Sequence, residues 1–249
     1  MFDNLRILWH QGKQYIPNVT TVKVPGIFRG RPVISKANVD ESLLADLCPT
    51  GAITVNPVRL DLGKCTFCGE CSIQFPDKIS FTTEYKLSTN DRARLIINEE
   101  DDSPIVLNPM LVRAEIHRLF GRSLKLRQVS AGGDNSCEWE LNASNNVQFD
   151  ISRFGIDFVA SPRHADGIVI TGPITANMAE PLERCYNAVP DPKIIILAGT
   201  DAISGGIFAD SPALNREFLS KHTIDLYVPG NPIHPLTFIN GVLELLKKR

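Results

Sequence analysis

The sequence predicts an α/β protein in which a doubly wound parallel sheet follows a small, cysteine-bearing α+β domain. From residue 124 onwards, apolar and β-branched runs alternate with helix-compatible segments, a pattern typical of parallel sheets that helices cover on both faces. Before residue 85, short β-type runs surround closely spaced cysteines. The chain has 249 residues, 43% of them hydrophobic and 22% charged, which is enough for two domains with a substantial core.

Prolines, glycines and charged runs divide the chain into four predicted segments. They are an irregular N-terminal segment at 1–30, the small domain at 31–84, a linker with a bridging helix at 85–123 and the sheet domain at 124–249. The bridging helix is predicted to begin at Asn108-Pro109 and to end before Gly121. Proline suits the first turn of a helix, and glycine commonly follows its last.

Within the small domain, the β-type runs are 52–55 and 78–81. In the sheet domain, the predicted strands are the apolar runs 124–129, 154–159, 167–171, 193–197 and 224–228. Helices are predicted at 176–188, 212–221 and 235–248. A sheet of this doubly wound, flavodoxin-like type places its functional residues in loops at the carboxyl ends of the strands.

Four cysteines of the small domain form a recognisable ligand set. Cys65, Cys68 and Cys71 stand at C-x2-C-x2-C spacing, and the upstream Cys48 is followed directly by proline. In two-cluster bacterial ferredoxins, the run C-x2-C-x2-C-x3-C-P occurs twice, and the fourth cysteine of each run ligates the cluster of the other run. The four cysteines of this chain are the complete set for one such 4Fe–4S cluster.

The ligands of the second ferredoxin cluster are all absent. Phe75 stands where the second run would have its fourth cysteine, and Asn38, Glu41 and Leu44 stand where the first run would have its other three. Because every missing cysteine belongs to one cluster, the pattern predicts a ferredoxin-like domain that has kept one cluster and lost the other.

A zinc site with four cysteines is the alternative interpretation, since thiolates are suitable ligands for either metal. Zinc ribbons usually present two separated pairs of cysteines, whereas this chain has three cysteines each two residues apart. The spacing therefore favours iron and sulfide.

Charge and hydropathy exclude several classes of partner. The 26 basic and 28 acidic residues give a net charge of −2, which provides no footprint for nucleic acid or for an anionic membrane. No run approaches the roughly 20 apolar residues of a membrane-spanning helix, and the first residues lack the pattern of a secretory signal. The six cysteines lack a disulfide-like framework, which indicates a reducing compartment. We expect a cytoplasmic protein that reaches the inner face of the membrane through partner subunits.

A second candidate site lies in the sheet domain. Three predicted strands run into loops of small residues at 130–137, 198–201 and 229–232. Because the carboxyl ends of parallel strands share one edge of a sheet, we expect the side chains in these loops to converge. The side chains in these loops that could form a binding site are those of Asp134, Cys137, Asp201 and Asn231.

The sheet domain resembles a known family over residues 120–245. The likeness rests on the strings FGRSL (120–124), CEWEL (137–141), RFGI (153–156), ASPRHAD (160–166), TGP (171–173), SGGIF (204–208) and VPG (228–230). They resemble the small subunit of group 4 membrane-bound NiFe hydrogenases and formate hydrogenlyases, which is similar to the 20 kDa subunit of respiratory complex I. Residues 28–84, which begin FRGRP, resemble the polyferredoxin subunit of the same complexes, so the chain is expected to be a fusion.

The resemblance implies a proximal 4Fe–4S cluster on four cysteines of the small subunit. The corresponding positions here are Asp134, Cys137, Asp201 and Asn231, of which only one is a cysteine. Because two carboxylates and an amide replace soft thiolates, we predict that this proximal cluster is lost. Two interpretations remain open, a hard-cation site on Asp134 and Asp201 or polar side chains that fill the vacated pocket. We favour the second.

The resemblance further implies an iron–sulfur electron-transfer subunit of a hydrogenase- or complex I-like oxidoreductase, inactive alone. Its expected partners are a hydrogenase large-subunit-like or complex I 49 kDa-like protein and membrane subunits of the same complex, with no nucleic acid. The alternative is a non-catalytic structural or sensor paralogue that docks a large-subunit-like partner. A weaker third hypothesis is a flavin-binding protein, since flavodoxin-like sheets bind FMN.

Overall fold

A computed structural model of the chain describes residues 2–12 and 14–248. Its α-helices are α1 (Phe2–Gln11), α2 (Glu41–Asp46), α3 (Glu70–Gln74), α4 (Ala114–Phe120), α5 (Ser136–Ala143), α6 (Ala176–Ala188), α7 (Thr200–Ser204), α8 (Glu217–Lys221) and α9 (Pro235–Leu245). Its strands are β1 (Pro32–Ile34), β2 (Ile53–Thr54), β3 (Arg59–Asp61), β4 (Ile79–Phe81), β5 (Ile96–Asn98), β6 (Leu124–Ser130), β7 (Ile156–Phe158), β8 (Gly167–Thr171), β9 (Ile194–Ala198) and β10 (Leu226–Val228).

The second half of the chain forms a five-stranded parallel sheet in the order β10-β9-β8-β6-β7. Counted from its first strand, this order is 2-1-3-4-5, which is that of the flavodoxin-like doubly wound fold. The predicted fold class is therefore confirmed. β8 and β9 are buried along their whole length, as expected for central strands that are covered on both faces.

The alternation of side chains along the central strands builds two apolar cores. Ile168 and Ile170 of β8 belong to the core on one face of the sheet, and Val169 between them belongs to the core on the other. Helices α4, α5 and α9 complete the second core, and Phe238 of α9 is fully buried there. The first core also takes in Leu182 of α6 and, from the N-terminal half of the chain, the cysteine-bearing lobe.

That lobe consists of two small antiparallel sheets, one of β1 and β4 and one of β2, β3 and β5. It lies directly on the parallel sheet, because Cys65 and Cys71 share one contiguous core with residues of β8 and β9. Hydrogen bonds add to the contact: Thr89 and Tyr227 exchange backbone bonds of 3.1 and 2.7 Å, and the Ser88 hydroxyl donates to the Thr237 carbonyl at 2.9 Å. The boundaries at residues 31, 85 and 124 stay a prediction.

Four helices differ from the sequence-based expectation, and the bridging helix is one of them. Residues 2–11 form a helix in a segment predicted to be irregular, and none of its side chains is buried. The helix predicted for 212–221 is confined to Glu217–Lys221, because the backbone at Leu214 and Asn215 pairs with Thr175 and Ile174 instead. The final helix ends at Leu245, three residues earlier than predicted.

The bridging helix is interrupted at Arg113. A short 3₁₀ turn covers Pro109–Leu111, and the α-helix itself begins only at Ala114. Arg113 between them has an extended backbone, with ψ of 130°. Its guanidinium donates to both carboxylate oxygens of Asp225 at 3.0 Å and to the carbonyl of Lys193 at 2.5 Å. This long-range contact ties the linker to the ends of two strands.

None of the helices in the described ranges, 2–12 and 14–248, has the length and apolar character needed to cross a bilayer.

We predict that Asp225→Ala lowers the free energy of unfolding by about 3 kcal/mol. The substitution removes a carboxylate whose side chain is 5% exposed, takes two hydrogen bonds from the Arg113 guanidinium and leaves the Ile195 amide without its partner. Urea denaturation followed by circular dichroism measures the change. Glu180→Ala, which breaks the exposed pair with Arg184, is the control and should change stability by about 0.5 kcal/mol or less. Equal effects of the two substitutions would contradict the assignment.

Candidate metal centre

The four cysteines of the ferredoxin-like lobe line a single cavity. Cys65 and Cys71 are buried, Cys48 is half-buried and Cys68 is exposed. The other walls of this cavity are largely apolar and include Ile53, Leu60 and Phe81. The structure thus brings together the four cysteines that the spacing singled out, and their role as ligands stays a prediction.

Cys48 is positioned by the end of α2. Its amide donates to the carbonyl of Ala45 at 3.1 Å, which continues the last turn of the helix. The chain then turns back, with Gly51 donating to the Cys48 carbonyl, and the Ala52 amide reaches the Cys48 sulfur at 3.2 Å. A proline directly after this cysteine suits the turn, because it cannot continue the helix.

The loop that carries the other three cysteines begins at an anchored turn. The carbonyl of Asp61 accepts bonds from the amides of Lys64 and Cys65, both at 3.0 Å, and its carboxylate accepts from Gly63. Arg92 holds the same carboxylate through two bonds of 2.8 and 2.6 Å. These contacts fix the position of Cys65 before the loop reaches the cavity.

Two residues of this loop have positive φ. Phe67 has φ of 55° and Gly69 has φ of 85°, the latter directly before α3, which carries Cys71 in its first turn. Glycine adopts this conformation at no steric cost, whereas phenylalanine does so only when its surroundings impose it. The amide of Phe67 donates to the Cys65 sulfur at 3.3 Å, so the unusual backbone turns an N–H group towards a ligand atom.

The chemistry of this donor set fits a 4Fe–4S cluster. Burial raises the pKa of the Cys65 thiol to about 12 and that of Cys71 to about 11, and nearby cysteines add to both shifts. Such thiols carry no charge at neutral pH unless a metal ion holds them as thiolates. Four soft donors on one cavity, two of them accepting backbone N–H groups, are what such a cluster requires. Within residues 2–12 and 14–248, no three His, Cys, Asp or Glu side chains are grouped so as to hold a single metal ion. A 4Fe–4S cluster differs from such a site, because each of its four cysteines binds a different iron.

Two of the four positions that would hold the second ferredoxin cluster carry packing residues. Leu44 is fully buried in the lobe's core, and Phe75 packs against the same core.

The second candidate site brings together three of its four predicted residues. The Cys137 sulfur lies against the backbone of Gly199, where a Cβ would be only 2.5 Å away. Burial raises the pKa of this thiol to about 12, and the charges of Glu138, Asp201 and Asp134 contribute. Asp134, Cys137 and Asp201 therefore lie within electrostatic reach of one another.

Asp201 is the most unusual group in this site. It is 7% exposed, and its Oδ1 atom is buried without a hydrogen-bond partner. Burial, together with the nearby charge of Asp134, raises the pKa of its carboxyl to about 6, and the charge of Arg216 opposes the shift. The pKa of Asp134, in contrast, is lowered by the hydroxyl and amide of Ser136, which both donate to it.

Asn231 lies in the loop that follows β10. It lines a cavity of about 430 Å³ between the two lobes, where Cys68 and Phe67 form part of the opposite wall. One thiol, two carboxylates and a separated amide do not fit a 4Fe–4S cluster, which needs four convergent soft donors.

Two residues that the sequence did not single out organise this region. Arg216 donates to four backbone carbonyls, those of Pro173, Asp201, Ala202 and Ile203, at 2.8 to 3.1 Å. The buried Thr200 hydroxyl donates to the Cys65 carbonyl at 2.7 Å, which connects α7 to the four-cysteine site. No local sequence pattern indicates either contact, because each joins residues that are distant along the chain.

Comparison with known proteins places the sheet domain in context. Residues 135–245 match the family described as NADH ubiquinone oxidoreductase, 20 Kd subunit. The probable membrane-bound hydrogenase subunit mbhJ of Pyrococcus furiosus is 36% identical over 135 residues, which are 54% of this chain and 81% of that protein.

Two further relatives are spanned over less than two thirds of their length. Formate hydrogenlyase subunit 7 of Escherichia coli is 38% identical over 141 residues, 55% of each chain. An NADH-quinone oxidoreductase subunit of Heliobacterium modesticaldum is 42% identical over 113 residues, 45% of this chain and 65% of that protein.

We predict that Asp201→Asn stabilises the protein at pH 8. Folding raises the pKa of this carboxyl from 3.8 to about 6. Below about pH 4 the group is neutral in both the folded and the unfolded protein, and the folded state loses stability as the pH rises from there to 6. Above pH 6, the ionised carboxylate lowers the free energy of unfolding by up to about 3 kcal/mol. Denaturant unfolding at several pH values measures this. The gain of the variant should shrink as the pH falls from 6 towards 4.

Asp210→Asn, at an exposed position in the loop that follows, is the matched control and should show no such pH-dependent gain. The prediction is wrong if the difference in the free energy of unfolding between Asp201→Asn and the unsubstituted protein stays constant from pH 8 to pH 4.

Proposed function

Since this chain belongs to the family of the 20 kDa subunit of NADH:ubiquinone oxidoreductase, we propose that it is an iron–sulfur electron-transfer subunit of a hydrogenase- or complex I-like complex. The observation that carries the proposal is the convergence of Cys48, Cys65, Cys68 and Cys71 on one cavity. These four residues would hold one 4Fe–4S cluster, which supplies one-electron redox chemistry when bound.

The protein's own contribution is to hold the four sulfurs and to set their surroundings. Cys65 and Cys71 are shielded from water, and the sulfurs of Cys48 and Cys65 accept amide N–H bonds from Ala52 and Phe67. Hydrogen bonds to the ligand sulfurs and burial are the means by which a protein adjusts the reduction potential of such a cluster. An electron would pass most readily at Cys68, the exposed ligand.

We propose that the sheet domain holds no proximal cluster, because Asp134, Asp201 and Asn231 take the places of thiolates. Electron transfer would then be confined to the ferredoxin-like lobe and would not pass through the sheet domain to a metal centre of a partner. Hydrogenase activity is therefore not part of the proposal.

The sheet domain would dock a partner similar to a hydrogenase large subunit or to the complex I 49 kDa subunit. Large apolar side chains are exposed on the elements around the vacated site: Trp139 on α5 is 73% exposed, and Ile207 and Phe208 after α7 are 60% and 41% exposed. Exposed apolar side chains of this size are typical of protein interfaces. Through this partner and membrane subunits, the protein would sit at the cytoplasmic face of a membrane.

A second candidate function is a non-catalytic structural or sensor subunit that docks the same kind of partner. The observation that favours it is the loss of the proximal ligands, which removes the electron path to that partner. In this case, the cluster would serve chiefly to stabilise the small lobe, since metal binding supplies folding free energy to such domains.

We predict that the protein purified anaerobically contains close to four irons and four sulfides per chain and gives one reduced-cluster EPR signal. Cys68→Ala should lose the iron and the brown colour, because a cubane cluster needs all four thiolates. Cys137→Ala is the matched control, since it removes a thiol of the vacated site, and it should keep the full iron content.

About eight irons per chain would refute the loss of the proximal cluster. One zinc and no sulfide per chain would refute the iron–sulfur assignment itself. Reduction of the bound iron by a partner complex would separate the electron-transfer role from the structural one, because only the first requires it.

A further inference from the structure

Arg29 contacts the cysteine loop from the N-terminal segment. Its Nε atom donates to the carbonyl of Phe67 at 2.5 Å. Phe67 stands between Cys65 and Cys68, directly before the latter. The side chain then passes close to Gly69, where a Cβ would lie 3.1 Å from the Arg29 Cδ atom. The arginine thus covers the part of the loop that leads to the exposed ligand.

This contact restrains the strained part of the loop. Phe67 has φ of 55°, a conformation that costs a bulky residue free energy and persists only where its surroundings enforce it. Its amide faces the Cys65 sulfur, and its carbonyl is held by Arg29. Both polar groups of this one peptide segment therefore have a partner, and the arginine supplies one of them.

Arg29 also places a positive charge beside the cluster site. It lines the 430 Å³ cavity together with Cys68, and among the described residues that line this cavity it is the one acidic or basic group that is charged at neutral pH. The other titratable base there is His234, whose pKa is lowered by burial. The acidic residue nearest in sequence to Cys68 is Glu70, which is exposed in the first turn of α3; it lines the four-cysteine cavity and does not line the 430 Å³ cavity, so Arg29 opposes its negative charge from the other side of the loop.

We propose that Arg29 positions the cysteine loop and raises the reduction potential of the cluster that the loop holds. This inference rests on the proposed function. Reduction adds negative charge to the cluster, so a nearby cation stabilises the reduced form more than the oxidised one. The hydrogen bond to Phe67 keeps both the guanidinium and the Cys65 ligand in place.

The test compares Arg29→Gln, Arg29→Lys and the unsubstituted protein, all purified anaerobically. Midpoint potentials from EPR-monitored redox titration report on the charge, and the rate of iron loss to a chelator reports on the loop. Arg184→Gln removes the same charge from an exposed position on α6 and is the matched control.

We expect Arg29→Gln to shift the midpoint potential to a more negative value and Arg29→Lys to leave it nearly unchanged. The shift should be larger at low than at high ionic strength, because salt screens an exposed charge. Both substitutions should speed iron loss, since lysine lacks the planar donor that reaches the Phe67 carbonyl. Arg184→Gln should change neither quantity.

An iron-loaded Arg29→Gln protein with an unchanged potential would overturn the electrostatic role. If that variant loses its iron, Arg29→Lys decides the loop role: iron loss at the unsubstituted rate would overturn it. Unsubstituted protein without iron would instead refute the proposed function, so the two failures are distinguishable.

Discussion

The packing of the cysteine loop onto the parallel sheet is the constraint on which the rest of the structure depends. Cys65 and Cys71 belong to the same apolar core as the strands β8 and β9, and the Cys65 carbonyl accepts a buried bond from Thr200. A small lobe buries little apolar surface by itself, and its contact with the sheet adds to the apolar surface that it buries. The four-cysteine site therefore packs against the sheet domain, which holds it in place.

The two candidate sites in this chain make opposite use of burial. Around Cys65 and Cys71, burial raises the pKa of thiols, a cost that iron would offset by binding them as thiolates. Around Asp201, burial raises the pKa of a carboxyl that has an unpartnered oxygen and an acidic neighbour. The first environment is suited to a cluster that brings its own positive charge. The second resists negative charge and lacks the four soft donors that such a cluster needs.

Patterns that depend on neighbouring residues were predictable from the sequence, and contacts between distant residues were not. The five strands are apolar, β-branched runs that alternate with helical segments, so their existence and parallel direction were predictable from the sequence. The break in the bridging helix at Arg113 depends on Asp225, 112 residues later, and no local signal marks it. The N-terminal helix had a signal, since Phe2, Leu5 and Trp9 follow helical spacing, but the prolines and glycines after it suggested an irregular segment.

The fold of the sheet domain does not depend on a proximal cluster, because its loops are held by protein groups. Arg216 satisfies carbonyls on both sides of the vacated site, from Pro173 and from three residues of α7. Cys137 fills the space beside Gly199 with its own sulfur. Since these bonds are made by side chains other than the replaced ligands, thiolates can be exchanged for carboxylates without loss of the loop geometry. The proposed docking surface next to the site therefore does not need a cluster to keep its shape.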